Sequence, residues 1–211
     1  MRRLVTLALA TLALPALAHE GVDHDNPEDA ARHLAETAGP LPAPQGLPLP
    51  FALGGPFTLT DQSGDRRSEA DPEGAFQLLF FGYANCPSIC AVALPMMGEV
   101  TNALRARGVA ATPVMITVDP KRDTVETMGA PLAAFHPDFV GLTGTEDELA
   151  PVYDLFSVEK TLVFEDPIEG PIYAHGSHIY LLDGGGKVLT LLPPILSAER
   201  IVEIAAAYGG S

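Results

Sequence analysis

Cys86 and Cys90 are the two cysteines in a chain of 211 residues, and they stand four apart with Pro87 between them. The segment Cys86-Pro87-Ser88-Ile89-Cys90 follows a buried-strand pattern and leads into a helical one. Residues i and i+4 on a helix share a face, with Cβ atoms about 5–6 Å apart. That is long for a relaxed disulfide, whose Cβ atoms lie about 3.8 Å apart, and a modest unwinding of the first turn would close it. Two thiolates at this separation also grip one soft metal ion. A helix N-terminus favours the anionic thiolate over the thiol. An inert staple explains the pair less well, because closing so short a loop removes little entropy from the unfolded chain.

Two sulfurs satisfy copper(I) only in a linear site; any higher coordination needs another donor, and imidazole is the natural one for copper. The chain has six histidines. His19, His24 and His33 precede the core, and His136 lies before Pro137 in a loop pattern. His175 and His178 stand just before the strand pattern Ile179 to Leu182, where the chain returns to the sheet. They are the candidates to meet the thiols. Zinc in a structural site would want a fourth protein ligand.

The elements that must position these groups follow from periodicity. Phe57 to Thr60 alternates apolar and polar residues, and Asp61 to Asp65 carries turn chemistry, which predicts a hairpin. Phe76 to Gly82 is an almost continuous apolar run, as in a buried central strand. Ala91 to Arg107 places Leu94, Met97, Val100, Thr101 and Leu104 on one helical stripe, and Gly108 ends it. Pro113 to Val118 predicts a second buried strand. Thr124 to Phe135 and Thr145 to Phe156 predict helices, the latter with three acids in its first turn. Ile179 to Leu182 and Val188 to Leu192 flank a glycine turn, and Ser197 can cap a final helix. Helices alternating with buried strands predict an α/β fold with a central mixed sheet flanked by helices.

The start of the chain reads as an export signal. Arg2 and Arg3 precede an apolar run from Leu4 to Leu14, and Ala16-Leu17-Ala18 supplies a cleavage pattern, which predicts a signal peptide over residues 1–18. The run is shorter than the roughly 20 residues of a membrane-spanning helix. No stable membrane insertion is therefore expected after cleavage. Residues 19–50 form a polar, Pro-rich segment with a short helix opening at Asn26, and the folded domain spans residues 51–211. The formal net charge of −15 argues against nucleic acid and anionic membrane as partners. Export implies a compartment in which disulfides persist.

Four stretches carry a resemblance that spans about residues 50–207. They are Gly55 to Gln62 (Gly-Pro-Phe-Thr-Leu-Thr-Asp-Gln) and Phe80 to Cys90 (Phe-Phe-Gly-Tyr-Ala-Asn-Cys-Pro-Ser-Ile-Cys). Further along are Ile116 to Thr124 (Ile-Thr-Val-Asp-Pro-Lys-Arg-Asp-Thr) and His175 to Asp183 (His-Gly-Ser-His-Ile-Tyr-Leu-Leu-Asp). In these the chain resembles the Sco (SenC) family of copper chaperones. The resemblance implies a thioredoxin-like fold with an N-terminal hairpin and insertions. It implies Cys86 and Cys90 as copper thiolates and His175 as third ligand, with copper as Cu(I) or Cu(II). The family's histidine usually follows an acid; Ala174 occupies that place here. The function implied is a periplasmic chaperone, not an enzyme, that delivers copper to the binuclear site of a respiratory cytochrome oxidase. Its partners would be the copper-accepting oxidase subunit and other periplasmic copper carriers. The alternative is a thiol–disulfide oxidoreductase in which Cys86 and Cys90 are a redox-active pair that reduces the cysteines of a copper-protein target.

Overall fold

The computed structural model describes residue 49 and residues 52–209, except 72, 73, 85 and 87. The predicted signal peptide and nearly all of the polar N-terminal segment, including its short helix, lie outside the described residues. Nine strands and four helices occur among the described residues. The apolar run of the sequence becomes β3 (Phe76–Gly82), buried at all but its first position. Beside it runs β4 (Ala111–Thr117), buried throughout. They pair in parallel, from Phe76 opposite Ala111 to Gly82 opposite Thr117. β5 (Val140–Thr143) adds in parallel to β4. A strand apolar on both faces has to be covered on both, so β3 and β4 belong at the centre.

The antiparallel strands close the sheet on either side. β1 (Thr58–Asp61) pairs with β5 and with β2 (Arg66–Ser68). On the other flank β8 (Ile179–Leu182) pairs with β3, and β9 (Val188–Leu192) pairs with β8. The order is β2-β1-β5-β4-β3-β8-β9. Both predicted turns are fastened by aspartates. Asp61 Oδ1 accepts from the Ser63 and Asp65 amides, and Asp183 Oδ1 accepts from those of Gly185 and Lys187.

Helix α1 (Cys90–Ala106) turns its predicted stripe inward: Leu94, Met97, Val100, Thr101 and Leu104 are all buried. Its end is a Schellman motif, with Val109 N donating to Leu104 O and Gly108 N to Arg105 O. Gly108 has φ +78°, which is why glycine stands there. α1 packs on β3 and β4 and against α2 (Gly129–Phe135) and α4 (Ala198–Gly209). α3 (Glu146–Leu155) packs on β1 and leads into Phe156, which joins Phe57, Phe81 and Tyr180 in an aromatic cluster. Adjacent side chains on a strand point to opposite faces. Phe81 thus serves this cluster, whereas Phe80 lies edge-on to His175.

Besides β5, which no sequence expectation covered, the structure departs from the sequence expectations at three elements. The helix predicted over Thr124 to Phe135 is helical only from Gly129. Thr127 Oγ1 donates to Arg122 O at 2.5 Å and accepts from Thr124 N at 2.8 Å, side-chain bonds that compete with helical ones. β4 starts two residues before Pro113, a residue that reads as a strand start; β5 pairs with β4 only from Val114, which leaves that edge open at the proline. Last, β6 (Thr161–Asp166) and β7 (Gly170–Ala174) form a hairpin apart from the main sheet, in a stretch that carries no core periodicity.

The N-terminus of α3 carries a reciprocal capping box. Thr145 Oγ1 accepts from Glu148 N, and the Glu148 carboxylate accepts from Thr145 N. Thr145→Ala is expected to lower unfolding stability by about 1 kcal/mol. Chemical denaturation checks this, as a shift in midpoint with no change in slope.

Candidate metal centre

The two sulfurs reach one place by different routes. Spacing alone suggested that they share one helical face, but Cys90 opens α1 whereas Cys86 lies in the loop before it. That loop leaves β3 at Gly82, and Cys86 N donates to Tyr83 O at 3.1 Å. Gly82 is required for packing. A Cβ there would come within 2.8 Å of the Phe80 ring and 3.1 Å of Cys90 Sγ, so its absence makes room for the sulfur.

The third group comes from the far end of the chain. His175 follows β7 directly and is 4% exposed. Its Nε2 lies 4.0 Å from Cys86 Sγ and 3.7 Å from Cys90 Sγ. Phe80 and Tyr83 both present their rings edge-to-face to the imidazole, with centroids 5.8 Å away. The donor atoms of Cys86, Cys90 and His175 all lie within 4.8 Å of one another. Among the described residues no other His, Cys, Asp or Glu joins the group. His178 is exposed and lines a cleft of about 360 Å³ that opens beside His175. His136 is buried elsewhere, between Asn102 Oδ1 and the Asp138 amide.

The donor set fits a metal. Bonds of about 2.3 Å to sulfur and about 2.0 Å to imidazole, spread in a trigonal plane, separate sulfur from nitrogen by about 3.7 Å. The observed separations of 3.7 and 4.0 Å already match. Two soft sulfurs and one imidazole suit copper. A structural zinc site would need a fourth protein ligand, and among the described residues none stands near. Ligating histidines usually give their second ring N–H to an acceptor. Here His175 Nδ1 is buried with no partner among the described residues. The ring is therefore held by aromatic contacts and by the segment that carries it.

The two thiols are electrically unequal. The neighbouring Cys90 sulfur holds Cys86 well below the ordinary thiol range, with further help from His175 and Ser88. The same proximity to Cys86, together with burial, pushes Cys90 upward. The two thiols are thus pushed in opposite directions, Cys86 toward the thiolate and Cys90 toward the thiol. Tyr83 is raised to about 12 by burial and then by the charge on Cys86.

Folding lowers the Cys86 ionisation below the unfolded value of about 8.5. Its contribution to apo stability is therefore complete above that pH and is lost as pH falls through the folded value. Cys90 has the opposite sign: the fold keeps it protonated, so stability falls as pH rises past about 8.5. Reduced apo protein is expected to carry one thiolate per chain at pH 7 by ultraviolet absorbance. Its denaturation midpoint should fall on acidification, and Cys86→Ser should remove both effects. Two thiols titrating together near their ordinary value would contradict this.

Comparison with known proteins places this geometry. The SCO1/SenC family model matches residues 46–209. An SCO2-like protein of Rickettsia felis is 40% identical over 153 residues, covering 72% of this chain and 74% of its own. The mitochondrial protein SCO1 of Saccharomyces cerevisiae is 35% identical over 179 residues, covering 82% of this chain and 60% of its own. The crystal structure of copper-bound yeast Sco1 superposes with a TM-score of 0.70 at 32% identity, over 76% of this chain and 90% of that one. Copper-bound ScoI of Bradyrhizobium japonicum gives 0.65 at 33% identity, over 75% of this chain and 99% of that one. The fold is the thioredoxin-like one expected from the sequence, and the chain belongs to the SCO1/SenC family.

Proposed function

We propose that the protein is a copper chaperone that holds the ion between Cys86, Cys90 and His175 and passes it to the binuclear copper site of a respiratory oxidase. The observation that carries the reading is the convergence of two buried sulfurs and one imidazole at trigonal spacing. Solved relatives more than 30% identical have copper bound. A three-coordinate site suits a carrier, because an incoming ligand can add before an outgoing one leaves. The first ligand to yield is His175, since it comes from a separate segment and opens on a cleft. The export signal read in the sequence supports a periplasmic setting. No helix among the described residues is long and apolar enough to cross a membrane.

The inequality of the thiols favours a second reading. A thiolate at Cys86 beside a protonated Cys90 is the polarity of an attacking and a resolving cysteine. Such a pair can reduce the disulfide of a copper-protein target and finish as a disulfide itself. One chain can serve both roles in turn, because bound metal and disulfide exclude each other.

Reduced protein is expected to take up one copper(I) per chain in competition with a chromophoric chelator, releasing about one proton near pH 7 as Cys90 ionises. Cys86→Ser and Cys90→Ser should each abolish tight uptake. His175→Ala should weaken it about 10–100-fold or more while leaving thiol–disulfide exchange with a model disulfide intact. A variant that kept wild-type copper affinity would remove His175 from the ligand set and leave the redox reading.

A further inference from the structure

The hairpin that delivers His175 is weakly held by its own contacts. β6 and β7 pair only with each other. β6 is exposed over five of its six residues, with Leu162, Val163 and Phe164 about half exposed. A two-stranded hairpin alone is marginal in water. At its base Lys160 pairs with Glu146 and lies 5.1 Å over the Tyr173 ring. Toward its tip the Arg122 side chain reaches it from the turn after β4.

Arg122 uses every face of its guanidinium. Nε pairs with Asp119, a carboxylate only 1% exposed. Nη1 donates to Glu169 O, and Nη2 donates to Pro171 O at 2.8 Å. The plane lies over the Tyr83 ring, 5.2 Å from its centroid. Tyr83 in turn packs edge-on to both Tyr173 and His175. Gly170 allows the approach: its φ is +75°, and a Cβ there would fall 2.9 Å from Nη1. One residue on, the buried Asp123 accepts from Ala84 N at 3.0 Å, in the loop that carries Cys86, and from Thr117 Oγ1 at 2.8 Å. The turn itself is closed by the Arg122 and Asp123 amides donating to Asp119 O.

The turn from Asp119 to Asp123 therefore grips the cysteine loop through one residue and the histidine hairpin through the next. We propose that Arg122 is a positioning residue that clips the β6–β7 hairpin to this turn and so sets how readily His175 leaves the sulfurs during copper transfer. This rests on the reading of Cys86, Cys90 and His175 as copper ligands. His175 Nδ1 has no hydrogen-bond partner among the described residues, so the ring's position depends on the hairpin, on Tyr83 and on Phe80, and Arg122 holds the first two. Lysine cannot substitute, because a single ammonium cannot serve a carboxylate, two carbonyls and an aromatic face at once.

The test compares wild type, Arg122→Met and Arg122→Lys by hydrogen exchange of the apo protein and by the rate of copper(I) loss to a chromophoric chelator. In Arg122→Met, amides of residues 161–176 should exchange faster while those of β3 and β4 keep their protection. Copper should be lost about 10–100-fold faster at unchanged stoichiometry. Arg122→Lys should restore little. In a His175→Ala background the Arg122 substitution should add nothing to the release rate, since it acts through that ring. Wild-type hairpin protection in Arg122→Met overturns the proposal. So does faster exchange across the whole sheet with a lowered Tm, or an equal effect on release without His175. If the wild type takes up no copper, the ligand reading fails, and the hairpin's exchange in apo Arg122→Met still decides whether Arg122 is the clip.

Discussion

Two sulfurs buried side by side cannot both carry charge, and the site is organised around that constraint. In the apo pair one proton can resolve it, and the proximity of the two sulfurs pushes Cys86 down and Cys90 up. A monovalent soft cation resolves it equally well, neutralising one thiolate and displacing the proton of the other. An external oxidant resolves it a third way, by joining the sulfurs. Copper carriage and thiol exchange are thus alternative answers to one electrostatic problem. Burial makes that problem acute, since solvent does little to screen either sulfur.

The rest of the fold supplies rigidity on one side of the site and freedom on the other. Cys86 and Cys90 stand at the junction of a strand buried at all but its first position and a 17-residue helix. Gly82 leaves the space that Cys90 fills. His175, by contrast, hangs from a solvent-exposed hairpin next to a cleft. A ligand set divided in this way can hold a metal and still open, because the imidazole can withdraw without disturbing the core. The Asp119–Asp123 turn lies between the two halves and bonds to both, to the Cys86 loop through Asp123 and to the His175 hairpin through Arg122.

Much of the fold was legible because its signals are local. The run Phe76 to Gly82 could only be a strand covered on both faces, and the stripe from Leu94 to Leu104 only a helix with one buried side. Thr145 and Gly108 announced a helix start and a helix end through bonds that reach at most a few residues. The elements that escaped are those whose reasons lie elsewhere in the chain. β5 is four residues long and contains a glycine, and it is a strand because β4 and β1 lie on either side. The β6–β7 hairpin buries almost no apolar stripe, so no period marks it, and its anchor is an arginine some 47 residues earlier in the sequence.

The sequence by itself determined the donors: a thiol pair at fixed spacing after a buried strand, and histidines before a returning one. Covalent spacing and strand or helix period decide these things within a few residues, so one chain read alone contains them. Tertiary structure alone decided which histidine faces the sulfurs, with His175 turned inward and His178 outward. It alone decided that Cys86 stands before the helix rather than on it, and that Arg122 binds the backbone of β7. The facing of His175 and the grip of Arg122 depend on groups brought together by packing across 49 to 89 residues, and no local pattern encodes a contact at that range.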